Sequence, residues 1–289
     1  MNKTDAIVRA LDGVELPASW WEVPAPRAVT IVSPATGTRR GFYRAFCEEL
    51  ARRGSAVVSY DYRGTFEPPA ALRRSPARMR DWGTLDFPGV VDAVRARYPR
   101  LPVYTVGHSV GGHVLLMSDR NRAIDRAVLV ASQSGYWRLY RGFESVRVYW
   151  FVKVVMPLLT RVFGYFPGKH IAFGTDLAPG VLYEWSRWCT SPGYFSDDPA
   201  MREVIGHARS FVAPTLMIGL SDDPWATPAA IDALQVWFTH ANVRRLAIDP
   251  RAYGIAHVGH IDFFRARNAA LWEQAISFLE LDSNQEAVG

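Results

Sequence analysis

Two kinds of apolar pattern alternate along the chain. Continuous runs rich in β-branched residues, bounded by Pro, Gly or Asp, lie at 28–32, 56–60, 103–106, 127–130 and 215–218, with a more mixed run at 245–248. Runs without polar alternation predict strands buried on both faces. Between them, segments 41–53, 89–96, 111–119, 228–238 and 268–279 carry helix-like patterns. This alternation predicts an α/β fold with a mostly parallel central sheet flanked by helices. Residues 6–9 and 14–23 predict an antiparallel hairpin leading into that sheet.

The alternation breaks between Tyr136 and Val204. This stretch holds 16 of the 37 aromatic residues, has no parallel-strand pattern, and contains a helix-like run at 147–163. It predicts a helical, aromatic-rich cap at 136–204 inserted into a core formed by 1–135 and 205–289. A length of 289 residues suits one large core carrying such an insertion.

Composition narrows the class of function. With 49% hydrophobic and 21% charged residues the chain buries a sizeable core. The net charge of +5 does not point to nucleic acid, because basic and acidic residues are interspersed. The densest basic run, Arg73, Arg74, Arg78 and Arg80, is broken by Ser75, Pro76 and Ala77 and reads as a solvated face. Two cysteines, Cys47 and Cys189, are too few for a disulfide framework and suggest a reducing, cytoplasmic setting. The first residues lack a signal-peptide pattern. The most apolar stretch, 148–159, carries Lys153 and Pro157 and is shorter than the roughly 20 residues that span a bilayer. A soluble protein without stable membrane insertion is expected.

One motif carries chemistry. Gly107-His108-Ser109-Val110-Gly111 has the form G-x-S-x-G, follows a buried strand and opens a helix. A serine on a sharp strand-to-helix turn exposes its hydroxyl, and glycines two residues to either side keep neighbouring strand and helix from colliding with it. The turn aims the Val110 N–H in front of the hydroxyl, and the helix N-terminus favours negative charge there. Ser109 is the expected nucleophile and Val110 one oxyanion donor.

The chain resembles the α/β-hydrolase superfamily, and within it bacterial predicted hydrolases labelled serine-aminopeptidase-like. The matching stretches are Ser33-Pro34-Ala35-Thr36-Gly37, Tyr60-Asp61-Tyr62-Arg63-Gly64, Asp81-Trp82-Gly83, the serine motif, Asp222-Asp223-Pro224 and Gly259-His260, in the expected order over most of the chain. The resemblance implies the order Ser, acid, His. Asp223 then stands at the acid position, with its neighbour Asp222 competing, and His260 is the base, with His257 as rival. A zinc pair at His257 and His260 lacks a third ligand cluster, so neither metal nor cofactor is expected. His108 and His113 flank the serine and are expected to be structural.

Two departures from the family pattern bear on the site. Where relatives end the 28–32 strand in His-Gly, this chain has Ser33-Pro34, and Pro34 lacks an N–H. The second oxyanion donor is therefore sought at Ala35, with Thr36 next. After Arg63-Gly64 comes Thr65-Phe66-Glu67-Pro68-Pro69, which predicts a loop of different shape. The aromatic insertion, with Trp137, Tyr140, Tyr149, Trp150, Trp185 and Trp188, either covers the serine and receives an apolar acyl or aryl group, or packs its own core. Together these features predict a serine hydrolase of small apolar carboxylic esters, working through an acyl-enzyme, with thioesters or amides also within reach. An acyltransferase, or an inactive binding protein on the same fold, is the alternative.

Overall fold

The computed structural model describes residues 1–171 and 173–280. Eight strands form one sheet: β1 (Asn2–Arg9), β2 (Glu15–Glu22), β3 (Ala28–Ser33), β4 (Ser55–Tyr60), β5 (Val103–His108), β6 (Arg126–Val130), β7 (Thr215–Leu220) and β8 (Val243–Ile248). Their spatial order is β1-β2-β4-β3-β5-β6-β7-β8. β1 and β2 pair antiparallel, as do β2 and β4, whereas every pair from β4 to β8 is parallel. Burial follows this layout. β3 and β6 are buried along their whole length, whereas β1 and β8, at the two edges, are mostly accessible. Lys3, Asp5 and Arg9 on β1 place charge along a free edge, where it opposes pairing with another chain.

Helices α1 (Arg44–Arg52), α2 (Phe87–Arg97) and α3 (Val110–Met117) connect the strands from β3 to β6. Beyond β6 the chain turns helical until β7, with α4 (Gly142–Trp150), α5 (Met156–Phe163), α6 (Pro179–Cys189) and α7 (Val204–Ser210). A π-helical turn, Phe151–Val155, joins α4 to α5 just ahead of Pro157, so the run at 147–163 is one helical path with a wide turn inside it. After β7 come α8 (Pro228–Gln235) and α9 (Glu273–Glu280). The helix expected at 268–279 is split: Ala266–Leu271 is a 3-10 segment, broken at Asn268, whose side chain donates to the Asp262 carbonyl at 2.8 Å.

The loop after β4 is anchored from both sides. Arg63 donates through its backbone N–H and Nε to Asp86, at 3.0 and 2.6 Å, and through its two Nη atoms to Asp12. Asp86 is fully buried, so this arginine offsets the cost of a carboxylate in the core. Beyond it Phe66 adopts φ 57°, Thr65 forms an antiparallel bridge to Leu177, and Ala178 donates to the Gly64 carbonyl at 2.9 Å. The departure at 65–69 thus ties this loop to the insertion between β6 and β7.

Candidate active site

Ser109 sits between the last residue of β5 and the first of α3, with φ 53° and ψ −110°. Few residues other than glycine adopt a positive φ, and here the surroundings enforce it. The Ser109 N–H donates to Val130 of the neighbouring strand at 2.9 Å, and its carbonyl accepts from Gly112 at 3.1 Å. The flanking glycines are sterically required. A Cβ on Gly107 would lie 2.6 Å from the Gly111 backbone, and one on Gly111 would lie 2.6 Å from the Ser33 carbonyl oxygen.

Two loops at the same sheet edge bring the other groups in. His260 Nε2 lies 3.0 Å from Ser109 Oγ, and His260 Nδ1 lies 2.8 Å from Asp223 Oδ2. A carboxylate only accepts, so the imidazole carries its proton on Nδ1 and turns the Nε2 lone pair toward the serine hydroxyl. The other Asp223 oxygen accepts from the N–H groups of Trp225 and Ala226, at 2.8 and 3.0 Å. Burial pushes the Asp223 carboxyl up. The charge and hydrogen bond of His260, with the two backbone donors, outweigh this and hold it below the ordinary carboxylate range.

Asp222 has a different position from its neighbour. Its Oδ2 accepts from the N–H groups of Val258 and Gly259, at 2.7 and 3.1 Å, and pairs with His257 Nδ1 at 2.9 Å. Asp222 therefore braces the loop that carries His260, while Asp223 touches the ring itself. His257 is largely exposed and lies outside the Ser109 contacts. Among the described residues no group of three or more His, Cys, Asp or Glu side chains converges as a metal set.

Ala35 differs from expectation. It is buried, and its N–H donates to the Tyr43 hydroxyl at 2.8 Å, so that N–H is already engaged and is not aimed at an oxyanion. The next residue, Thr36, lines the cavity in front of Ser109 together with Val110. Tyr43, at the start of α1, was not apparent as a site residue from sequence. Its hydroxyl also lies 2.7 Å from His108 Nδ1, and His108 Nε2 lies 2.8 Å from the His260 carbonyl oxygen. That carbonyl accepts only, which places the His108 proton on Nε2. The chain of donors then runs from Ala35 N–H to Tyr43 Oη–H to His108 Nδ1. Burial, and then the nearby His260, pull the His108 pKa down to about 3, so its ring is neutral.

The cavity beside Ser109 is narrow, with about 20 Å³ available to the centre of a water molecule. Tyr140, Trp185, Tyr194 and Trp225 line it, with His113 and Gln133 at its polar side. His113 is thus part of the cavity wall and not only a packing residue of α3. The other aromatic residues of the insertion divide differently. Trp188 packs internally and donates to Asp198, Trp137 meets Tyr149 with the two rings tilted, and Trp150 faces solvent. A larger cavity, about 460 Å³, opens at the opposite ends of the parallel strands, between Arg53, Pro102 and Leu279, far from the serine.

Comparison with known proteins agrees with this layout. Residues 24–206 match the family model described as serine aminopeptidase, S33. A monoglyceride lipase homolog of Monkeypox virus is 25% identical over 101 residues, a stretch covering 34% of this chain and 35% of that protein. A thermostable carboxyl esterase from Bacillus coagulans superposes with a TM-score of 0.63 at 14% identity, covering 97% of this chain and 98% of its own. An esterase from Pyrococcus furiosus gives a TM-score of 0.60 at 15% identity over 96% and 91% of the two chains. A bromoperoxidase from Bacillus anthracis gives 0.58 at 15% identity over 96% and 100%. At these identities the structural likeness establishes the fold, and the family model, which spans more than half the chain, establishes descent. The chain belongs to the serine aminopeptidase S33 family, within the α/β-hydrolase superfamily.

Proposed function

We propose that the protein is a serine hydrolase that cleaves a small carboxylic ester through an acyl-enzyme. The observation that carries this reading is the continuous path Ser109 Oγ, His260 Nε2, His260 Nδ1, Asp223 Oδ2, with separations of 3.0 and 2.8 Å at its two non-covalent steps. In this reading Ser109 attacks the ester carbonyl carbon while its proton passes to His260 Nε2. The carbonyl oxygen becomes an oxyanion, which the N–H of Val110 at the head of α3 and that of Thr36 stabilise. His260 returns the proton to the leaving alkoxide, and the alcohol departs. Water then attacks the acyl-serine, with His260 accepting and returning its proton, to release the acid and restore Ser109. Asp223 keeps the imidazole in the required tautomer throughout.

The narrow cavity supports a short acyl group, whose entry requires the aromatic side chains of the insertion to give way. The insertion thereby acts as a cap. No helix among the described residues is long and apolar enough to cross a membrane. The family's peptidase label and the esterase and lipase names of the similar proteins share chemistry at a carbonyl, and the triad by itself does not select the leaving group. A series of p-nitrophenyl esters of rising acyl length tests the reading. Turnover highest for short chains, lost in Ser109→Ala, is expected. Well-folded protein with no turnover of any member favours an inactive binding protein.

A further inference from the structure

The polar side of the cavity is not accounted for by ester chemistry. His113 and Gln133 are both more than nine-tenths buried, line the same cavity as Ser109, and are joined by His113 Nε2 to the Gln133 carbonyl oxygen at 2.8 Å. That carbonyl accepts only, so the ring proton is on Nε2 and Nδ1 is left as an acceptor. His113 Nδ1 and Gln133 Oε1 are both buried without a hydrogen-bond partner among the described residues. Burial pulls the His113 pKa down to about 4, so Nδ1 carries no proton of its own at neutral pH. Two such atoms on residues that line the cavity of Ser109, in a wall otherwise made mostly of aliphatic and aromatic side chains, are a costly feature that a matching ligand group removes.

We propose that this cavity selects an ester whose bound portion carries a hydroxyl group, held between His113 and Gln133. A hydroxyl donates to His113 Nδ1 and also accepts, and the Gln133 amide presents either its oxygen or its NH₂ after a half-turn. A plain alkyl group leaves both residues unmatched. An ammonium is disfavoured because no carboxylate lines the cavity, and an anion is disfavoured by the His113 lone pair. The proposal rests on the hydrolase reading and adds a specificity to it. A site built to bond a hydroxyl discriminates against the deoxy analogue far more strongly than an apolar pocket discriminates by size.

The test compares matched hydroxy and deoxy esters. One series varies the acyl side, p-nitrophenyl 3-hydroxybutyrate against p-nitrophenyl butyrate, and the other varies the alcohol side, 4-hydroxybutyl butyrate against butyl butyrate. The kcat/KM ratio is expected to favour the hydroxy member by about tenfold or more in one series. His113→Phe and Gln133→Met are each expected to bring that ratio toward 1; having two variants guards against one that fails to fold. A wild-type ratio below about tenfold in both series overturns the proposal and leaves a buried water as the only partner of the two groups. A preference that survives in both variants overturns it too. If the wild type turns over neither member, the hydrolase reading has failed, and calorimetric binding of the same pairs to Ser109→Ala decides the hydroxyl preference separately.

Discussion

The Tyr43 hydroxyl lies 2.7 Å from Nδ1 of His108, the residue immediately before Ser109. Through that contact the start of α1 holds three parts of the site in register. The same hydroxyl accepts from Ala35, next to Thr36, and His108 donates to the backbone of His260. One phenol therefore connects the loop after β3, the serine turn and the histidine loop.

Replacing Tyr43 with Phe leaves the Ala35 N–H and the His108 Nδ1 buried without a partner. The expected cost is about 1–3 kcal/mol of stability, read as a shift in the urea midpoint. Turnover is expected to fall about tenfold through kcat with KM little changed, because the reacting groups lose alignment and the substrate cavity does not contain the phenol. An unaltered kcat in the folded variant would argue against this positioning role.

The two neighbouring aspartates separate cleanly by substitution. In Asp223→Asn the Trp225 and Ala226 N–H groups hold the amide oxygen, which turns the NH₂ toward His260 Nδ1 and favours the wrong tautomer. The expected drop in kcat is about 1000-fold or more with the fold intact. Asp222→Asn retains an oxygen for the Val258 and Gly259 N–H groups, so activity is expected to stay within about tenfold of wild type at a stability cost of about 1 kcal/mol. The reverse ranking would assign the acid to Asp222.

How far the sequence reveals this site depends on which contacts are local. Strands such as 28–32 and 127–130 read directly because both faces are buried and the whole run is apolar. The serine turn reads directly because its glycines are a local steric requirement. The family order favours Asp223 over its neighbour Asp222, but the contacts that separate the two come only from the approach of the 258–260 loop. The engagement of the Ala35 N–H is not legible in the sequence, because the group that takes it, Tyr43, lies on another element, and nothing at the start of α1 marks that tyrosine. Gln133 and the cavity face of His113 are equally invisible in the sequence, as both depend on how the segment between β6 and β7 packs over α3. The aromatic content of 136–204 does not reveal which rings line the cavity beside Ser109 and which only pack one another, because that follows from tertiary contacts.

Backbone crowding at the serine turn gives a second stability prediction. Gly111→Ala places a Cβ 2.6 Å from the Ser33 carbonyl oxygen, an atom of the sheet that cannot retreat, and is expected to cost about 3 kcal/mol and to displace Ser109. Gly206→Ala in α7 meets nothing within 4 Å, and is expected to stabilise the protein by about 0.5–1 kcal/mol. Thermal unfolding of the pair checks both signs.

Acid sensitivity follows from the two buried imidazoles. His108 and His113 have native pKa values near 3 and 4, both lowered chiefly by burial from an ordinary value of 6.5. The unfolded chain binds these protons and the native one does not, so their contribution to stability is complete above about pH 6.5. It is lost as pH falls toward 4, at about 2.7 kcal/mol per pH unit for the two groups together. His113→Phe is expected to reduce that slope by about half of this contribution, measured by urea unfolding between pH 4.5 and 6.5. Parallel pH profiles for variant and wild type would contradict it.

Covalent labelling with a fluorophosphonate, followed by peptide mass spectrometry, tests the role of Ser109 at first hand. A single adduct is expected on the peptide containing Ser109, absent in Ser109→Ala and formed about 1000-fold more slowly in His260→Ala. Folded wild-type protein that takes no adduct, or takes it at a different serine, would contradict it.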